Sequence, residues 1–246
     1  AALVTEDLQG RAITIIMAGN TFGVSLGLPF MTYIGTHLGW RTEFILLGAL
    51  GAVIALLAAK FLPAVPGEKL TQSNSPMAML KIPQVWMVLV LTFLSVVAHY
   101  STYTYITLLV ETLRFQGGIS LALLIFGIGS VISVILSARI IDAHLQGLIV
   151  AMLVAGAVAM MLFVVFGGAN GWSHMAFLLW GLAFGPLVTM WQTAVSKQVT
   201  EAKAVATSVQ SSVFNFSIMI ATWVAGLILV YLPQFGAMGI VYLSIL

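Results

Sequence analysis

The sequence predicts an all-α integral membrane protein, and two observations predict it. Of 246 residues, 61% are hydrophobic and only 7% charged, against about 45–50% and about 25% in an average soluble domain. The apolar residues also come as continuous runs long enough to cross a bilayer, not as the alternation that barrel strands need. With nine Lys/Arg and seven Asp/Glu the chain cannot clothe a water-facing surface, so a soluble, disordered or secreted protein is excluded.

Taken in order, the apolar runs place spans near 12–37, 43–62, 84–109, 119–141, 147–167, 173–195 and 205–232, with a further run from about 236. That last run meets Leu246 in mid-span, and no basic leader precedes the first, so the chain reads as truncated at both ends. Each span has about the 20 apolar residues a bilayer core requires. Between the second and third lies the longest polar stretch, 63–83, with Pro66, Gly67, the Thr71, Gln72, Ser73, Asn74, Ser75, Pro76 run and Lys81. Its composition is that of a linker. The expected organisation is therefore a helix pair in 1–62, the linker 63–83, and a bundle in 84–246 whose last helix is incomplete.

Loop charge sets the orientation. Placing the linker inside puts Arg11, Lys60, Lys69, Lys81, Arg139, Lys197 and Lys203 on the cytoplasmic side and only Arg41 and Arg114 outside, as the positive-inside rule demands. The 63–83 linker is thus expected in the cytoplasm of a multi-pass plasma (inner) membrane protein. Trp40, Trp86 and Trp172 stand near span ends, where amphipathic rings favour the interface. Nine basic residues scattered between apolar spans build no phosphate-tracking patch, which excludes a nucleic-acid partner. The absence of cysteine removes thiolate chemistry and cysteine metal sites. Four dispersed histidines give no ligand spacing. No hydrolase, metalloprotease or phosphate-loop motif occurs, and the carboxylates lie at span ends or in loops, so no catalytic residues, metal or cofactor are expected. Glu43 and Glu111 read as charges solvated near the outer interface.

Within the spans, polar residues fall on faces. Gly19, Gly23 and Gly27 at four-residue spacing, followed by Pro29, make a smooth helix face. It serves either ordinary close packing or a conformational seam between moving bundles, with Pro29 adding a kink. In the third span Thr92, Ser95, His99, Thr102 and Tyr103 share one side. An imidazole at mid-span needs a cavity or a partner, so His99 is either a histidine bonded to another helix or a residue that meets solute or proton. Ser208, Ser211, Ser212, Asn215 and Thr222 repeat the device in the seventh span. Interhelical hydrogen bonding explains most of them, with Asn215 assigned to the cavity. Trp180, Phe184, Leu187 and Trp191 form an aromatic and apolar stripe broken by Pro186, with Gln192 beyond. Trp180 and Gln192 are further substrate-binding candidates. Ser130, Ser133 and Ser137 read as close packing.

Several segments carry a family resemblance. Gly19, Asn20, Thr21, Phe22, Gly23 through Gly27, Leu28, Pro29, and then Gly39, Trp40, Arg41, Thr42, Glu43, Phe44, resemble the fifth-helix antiporter motif of the major facilitator superfamily and its exit. His99 to Ile106 is similar to a seventh-helix segment of the drug and sugar (arabinose-efflux-like) efflux branch. Trp180 to Gly185 and Val213 to Phe216 resemble motifs of helices 10 and 11. Ala138, Arg139, Ile140, Ile141, Asp142 stand where the family repeats a charged loop motif, here with Ala138 in place of its glycine. The resemblance implies helices 5 to 11 and part of 12 of a twelve-helix fold, with Arg139 and Asp142 as inter-helix loop charge. It further implies a monomeric secondary transporter in the lipid bilayer, exporting a small organic solute (sugar, nucleoside or drug-like) by alternating access in exchange for protons. The solute site is expected between the two bundles, at His99, Tyr103 and Asn215. A non-transporting receptor or assembly subunit using the same helix surfaces is the alternative.

Overall fold

A computed structural model describes residues 19, 23, 27–61, 75–169, 171–200 and 202–245. The chain divides into two compact units, 1–69 and 70–246, and the division falls inside the polar 63–83 stretch. Every regular element among the described residues is helical.

The first unit contains α1 (Leu28–Leu38) and α2 (Trp40–Phe61). Gly39, at φ +85°, makes the turn between them in a region that disfavours side chains. Pro29 occupies the first turn of α1, where a missing N–H leaves no acceptor stranded. No residue of α2 is buried within its unit, and Phe44, Ile45, Ile54 and Leu56 stand out at more than half exposure. In hydrocarbon such a surface is solvated, whereas in water it would aggregate. Arg41 lies over the Trp40 ring at 4.5 Å, an amphipathic pair suited to a span end. Glu43 is half-buried, its carboxylate oxygen 2.6 Å from where a side chain on Gly35 would begin. This carboxylate packs across the helix pair instead of standing free.

The second unit opens inside the stretch expected to be linker. Ser75 accepts the Ala78 N–H on Oγ at 3.2 Å, caps α3 (Pro76–Leu80) and lets Met79 be buried. Residues 62–74 lie outside the described residues. The third expected span is two helices, α4 (Pro83–Thr104) and α5 (Ile106–Thr112), interrupted at Tyr105 with φ −107° and ψ 27°. The fourth and fifth follow as two helices that meet at a kink at His144, whose dihedrals are non-helical, and are numbered together as α6 (Gly118–Phe166). At 1.5 Å per residue, 49 residues would reach about two and a half times the bilayer core. Both halves of α6 return to α7 (Trp172–Phe184): Phe126 lies 5.2 Å and Phe163 6.1 Å from Trp180, centroid to centroid. The chain therefore reverses at His144. The sixth span is again broken, between α7 and α8 (Leu187–Ser196), at Gly185 and Pro186. Then come α9 (Lys203–Tyr231) and, after a short 3-10 turn, α10 (Gly236–Ile245). Among the described residues, four apolar stretches of this unit are long enough to cross a membrane, beside Trp40–Phe61 of the first.

Two contacts set the bundle's geometry. The first is a glycine seam between α6 and α7, where a side chain on Gly181 would run into the Phe126 carbonyl, one on Gly185 into Ser130, and one on Gly129 into Leu178. The second is a polar seam between α4 and α9: the Ser101 hydroxyl lies 3.4 Å from the Ala221 carbonyl, Thr104 meets Thr222 at 3.2 Å, and Tyr105 donates to the Thr222 carbonyl at 3.3 Å.

Candidate functional site

The polar stripe on α4 resolves into two kinds of residue. Thr92 and Ser95 donate to the carbonyls of Val88 and Leu91, four residues back, so they satisfy themselves within their own helix. Thr102 and His99 reach out. Thr102 shares a 2.6 Å hydrogen bond with Ser244 of α10. His99, nine-tenths buried, accepts the indole N–H of Trp180 on Nδ1 at 2.9 Å.

Aromatic rings from three helices enclose the imidazole. Phe184 stacks on it, with centroids 3.4 Å apart and planes 7° from parallel. Tyr103 lies at 5.4 Å, Phe126 at 6.1 Å, and Tyr100 meets it edge-on at 5.2 Å. Local sequence explains the convergence. His99 and Tyr103 are one helical turn apart on α4, as Trp180 and Phe184 are on α7. The glycine seam draws α6 close enough for Phe126 to enter, and the break at Gly185 and Pro186 ends α7 directly after Phe184. Nε2 of His99 has no hydrogen-bond partner among the described residues, although a buried imidazole nitrogen ordinarily finds one.

His99, Trp180 and Phe184 also border a cavity of about 580 Å³ within this unit. Apart from Ser95, His99, Trp180 and Ser244 it is lined by apolar residues, including Leu94 and Val154, which are both more than half exposed. The cavity is a mostly apolar recess, and His99 is one of its few polar lining groups. Tyr100 and Tyr103 are half-buried and form the cluster's other rim.

Gln192 and Asn215 sit elsewhere and converge on Ser211. The Gln192 amide donates to Ser211 Oγ at 3.4 Å, and Asn215, which is exposed, donates to the Ser211 carbonyl at 2.8 Å. Ser208, Ser212 and Thr222 likewise bond back along α9. Of the five expected solute residues, the structure thus gathers His99, Tyr103 and Trp180 in one cluster and leaves Gln192 and Asn215 in a second. Tyr100 spans the interval, edge-on to both Phe184 (5.6 Å) and Phe214 (5.9 Å). Tyr100 and Phe126 were not singled out by sequence. Tyr100 lies one residue off the polar stripe, and Phe126 looks like any apolar core residue until α6 is packed.

The remaining expectations fall as follows. A side chain added at Gly19, Gly23 or Gly27 meets no described atom within 4 Å. Arg139 and Asp142 lie in the helical path of α6, ahead of the reversal, and not in a loop. It is the backbone carbonyl of Asp142 that is engaged, by Lys197 Nζ at 2.8 Å. Among the described residues no three His, Asp or Glu gather as a metal site would require.

A family profile described as Major Facilitator Superfamily matches residues 1–242. The chain belongs to this superfamily. Over 221 residues it is 28% identical to a probable sugar efflux transporter of Mannheimia succiniciproducens, an alignment covering 88% of this chain and 55% of that relative. The chain thus spans about half the length of the curated relative it matches. As a superfamily member with several membrane-spanning helices, it is a multi-pass membrane protein. The broken helices fit that setting, since irregular backbone at membrane depth is tolerated where protein surrounds it.

Proposed function

We propose that this chain belongs to a secondary transporter that exports a small organic solute, a sugar, nucleoside or drug-like molecule, by alternating access in exchange for protons, with no enzymatic step. One observation carries the reading. A mid-span histidine is held by a tryptophan inside an aromatic cluster, and its other ring nitrogen has no partner among the described residues, at a depth where an unsatisfied polar group is expensive. A purely structural histidine would be expected to spend both nitrogens. Flat rings beside a hydrogen-bonding nitrogen suit a solute with apolar faces and polar edges, and the sugar-efflux relative favours a sugar within that class.

The binding residues in this reading are His99, Tyr103 and Trp180, with Gln192 and Asn215 on an adjacent stretch of the same unit. Gly19, Gly23, Gly27 and Pro29 serve as the conformational seam. Proton exchange draws on the family resemblance. Of the described carboxylates, Glu43 and Glu111 stand near helix ends and Asp142 beside the reversal of α6, so the coupling acid is placed outside them. The protein acts in the plasma membrane as a monomer, with the 63–83 stretch in the cytoplasm.

Counterflow in proteoliposomes tests the proposal. Vesicles preloaded with unlabelled solute should accumulate the labelled one, for at least one of a sugar, a nucleoside and a lipophilic drug. A well-folded protein that moves none of them would favour a receptor or assembly subunit. Export accelerated by an imposed inward proton gradient is the expected sign of exchange.

A further inference from the structure

We infer that Trp180 locks His99 into one tautomer, bare on Nδ1 and protonated on Nε2, and so makes His99 a hydrogen-bond donor to an oxygen of the solute instead of a carrier of the exchanged proton. The solute half of this inference rests on the proposed function. The tautomer half stands on the geometry alone.

An indole nitrogen can only donate, so the 2.9 Å contact between Trp180 Nε1 and His99 Nδ1 requires a lone pair on Nδ1. A neutral imidazole has one donor and one acceptor nitrogen, so the proton must sit on Nε2. An imidazolium has two donors and no acceptor. Charging His99 would set N–H against N–H and break the bond to Trp180.

No neighbour among the described residues would compensate such a charge. The ring's contacts are Tyr100 and Tyr103 on its own helix, Phe126 of α6, and Trp180 and Phe184 of α7. From α9, Phe214 reaches only Tyr100, and from α10 Ser244 lines the same recess. None of these groups is anionic at neutral pH. The stacked Phe184 further fixes the ring's plane. What remains is a buried Nε2–H with no acceptor among the described residues. The group that completes it is an oxygen lone pair, such as a hydroxyl or carbonyl of a neutral solute. Trp180 in this scheme is a positioning residue that acts through His99.

Nitrogen-15 NMR of histidine-labelled protein in nanodiscs reads the tautomer directly. The chain has four histidines, and the His99 signals are those lost in His99→Gln. The wild type at neutral pH should show an unprotonated Nδ1 and a protonated Nε2. In Trp180→Phe, which keeps a ring but removes the donor, Nδ1 should lose that bare signature and exchange between tautomers. A protonated Nδ1 in the wild type overturns the inference, as does an unchanged His99 spectrum in Trp180→Phe. If that variant does not fold, the wild-type spectrum still decides.

A transport arm tests the donor role with D-glucose and L-arabinose as counterflow probes. A glutamine amide can occupy the place of Nε2, and an asparagine amide that of Nδ1. His99→Asn should therefore raise KM by at least about fivefold more than His99→Gln, the size of one hydrogen bond. Equal or reversed effects overturn the donor role. Absence of counterflow by the wild type counts against the proposed function, and the tautomer measurement then decides the inference alone.

Discussion

The α-carbon of Gly181 lies directly against the carbonyl oxygen of Phe126, backbone to backbone across the α6–α7 seam. The rest of the aromatic cluster depends on this contact, because it brings the Phe126 ring to 5.2 Å from Trp180. Gly185 and Gly129 extend the same seam toward Ser130 and Leu178. Opposite Gly181 and Gly129 the nearest atoms are all backbone, so no flexible side chain can yield there and added bulk must push the helices apart. Gly181→Ala is expected to destabilise the protein by about 1–3 kcal/mol, the usual range for overpacking, and Gly181→Leu by more. Thermal unfolding in detergent measures both. A melting temperature for Gly181→Ala equal to wild type would show that the seam can open freely.

His99→Phe separates the ring's stacking from its hydrogen bond. The phenyl ring can still stack on Phe184, but the Trp180 N–H loses its acceptor at a site where Trp180 is only 1% exposed. A buried donor left unpaired costs about 1–3 kcal/mol, so the variant should unfold more readily than wild type and transport more slowly. Double-mutant comparison with Trp180→Phe checks the assignment. If the two losses simply add, the residues do not act through each other.

Gly27→Leu addresses the proposed seam in the first unit. Reduced transport at normal membrane expression is the expected result, since a seam between moving helices tolerates little bulk. A fully active Gly27→Leu protein would remove Gly19, Gly23 and Gly27 from the moving parts.

Topology is tested at Ser73. The chain contains no native cysteine, so Ser73→Cys provides a unique thiol. In intact cells a membrane-impermeant maleimide should leave it unmodified, and permeabilisation should expose it. Rapid labelling from outside would reverse the orientation.

The apolar runs were enough to determine that this chain is helical and lives in a bilayer, because burial of backbone polar groups in hydrocarbon leaves a 20-residue apolar stretch almost no other option. The helical period also marked His99 and Tyr103 as one face of α4. Tertiary structure alone decided which residues answer that face. Thr92 and Ser95 turned inward to their own backbone, while His99 found an indole 81 positions away in the chain. Periodicity assigns a residue to a side of its helix and says nothing of what the neighbouring helix presents there. The same limit applies to the glycines: the regular spacing of Gly19, Gly23 and Gly27 was conspicuous, yet among the described residues it is Gly129, Gly168, Gly181 and Gly185 that lie against the backbone of another segment. A glycine permits close approach, but only a second helix with a matching gap brings it about. The break at Tyr105 was similarly illegible, since that residue does not forbid a helix, whereas the turn at His144 falls in the interval the apolar runs left between the spans 119–141 and 147–167.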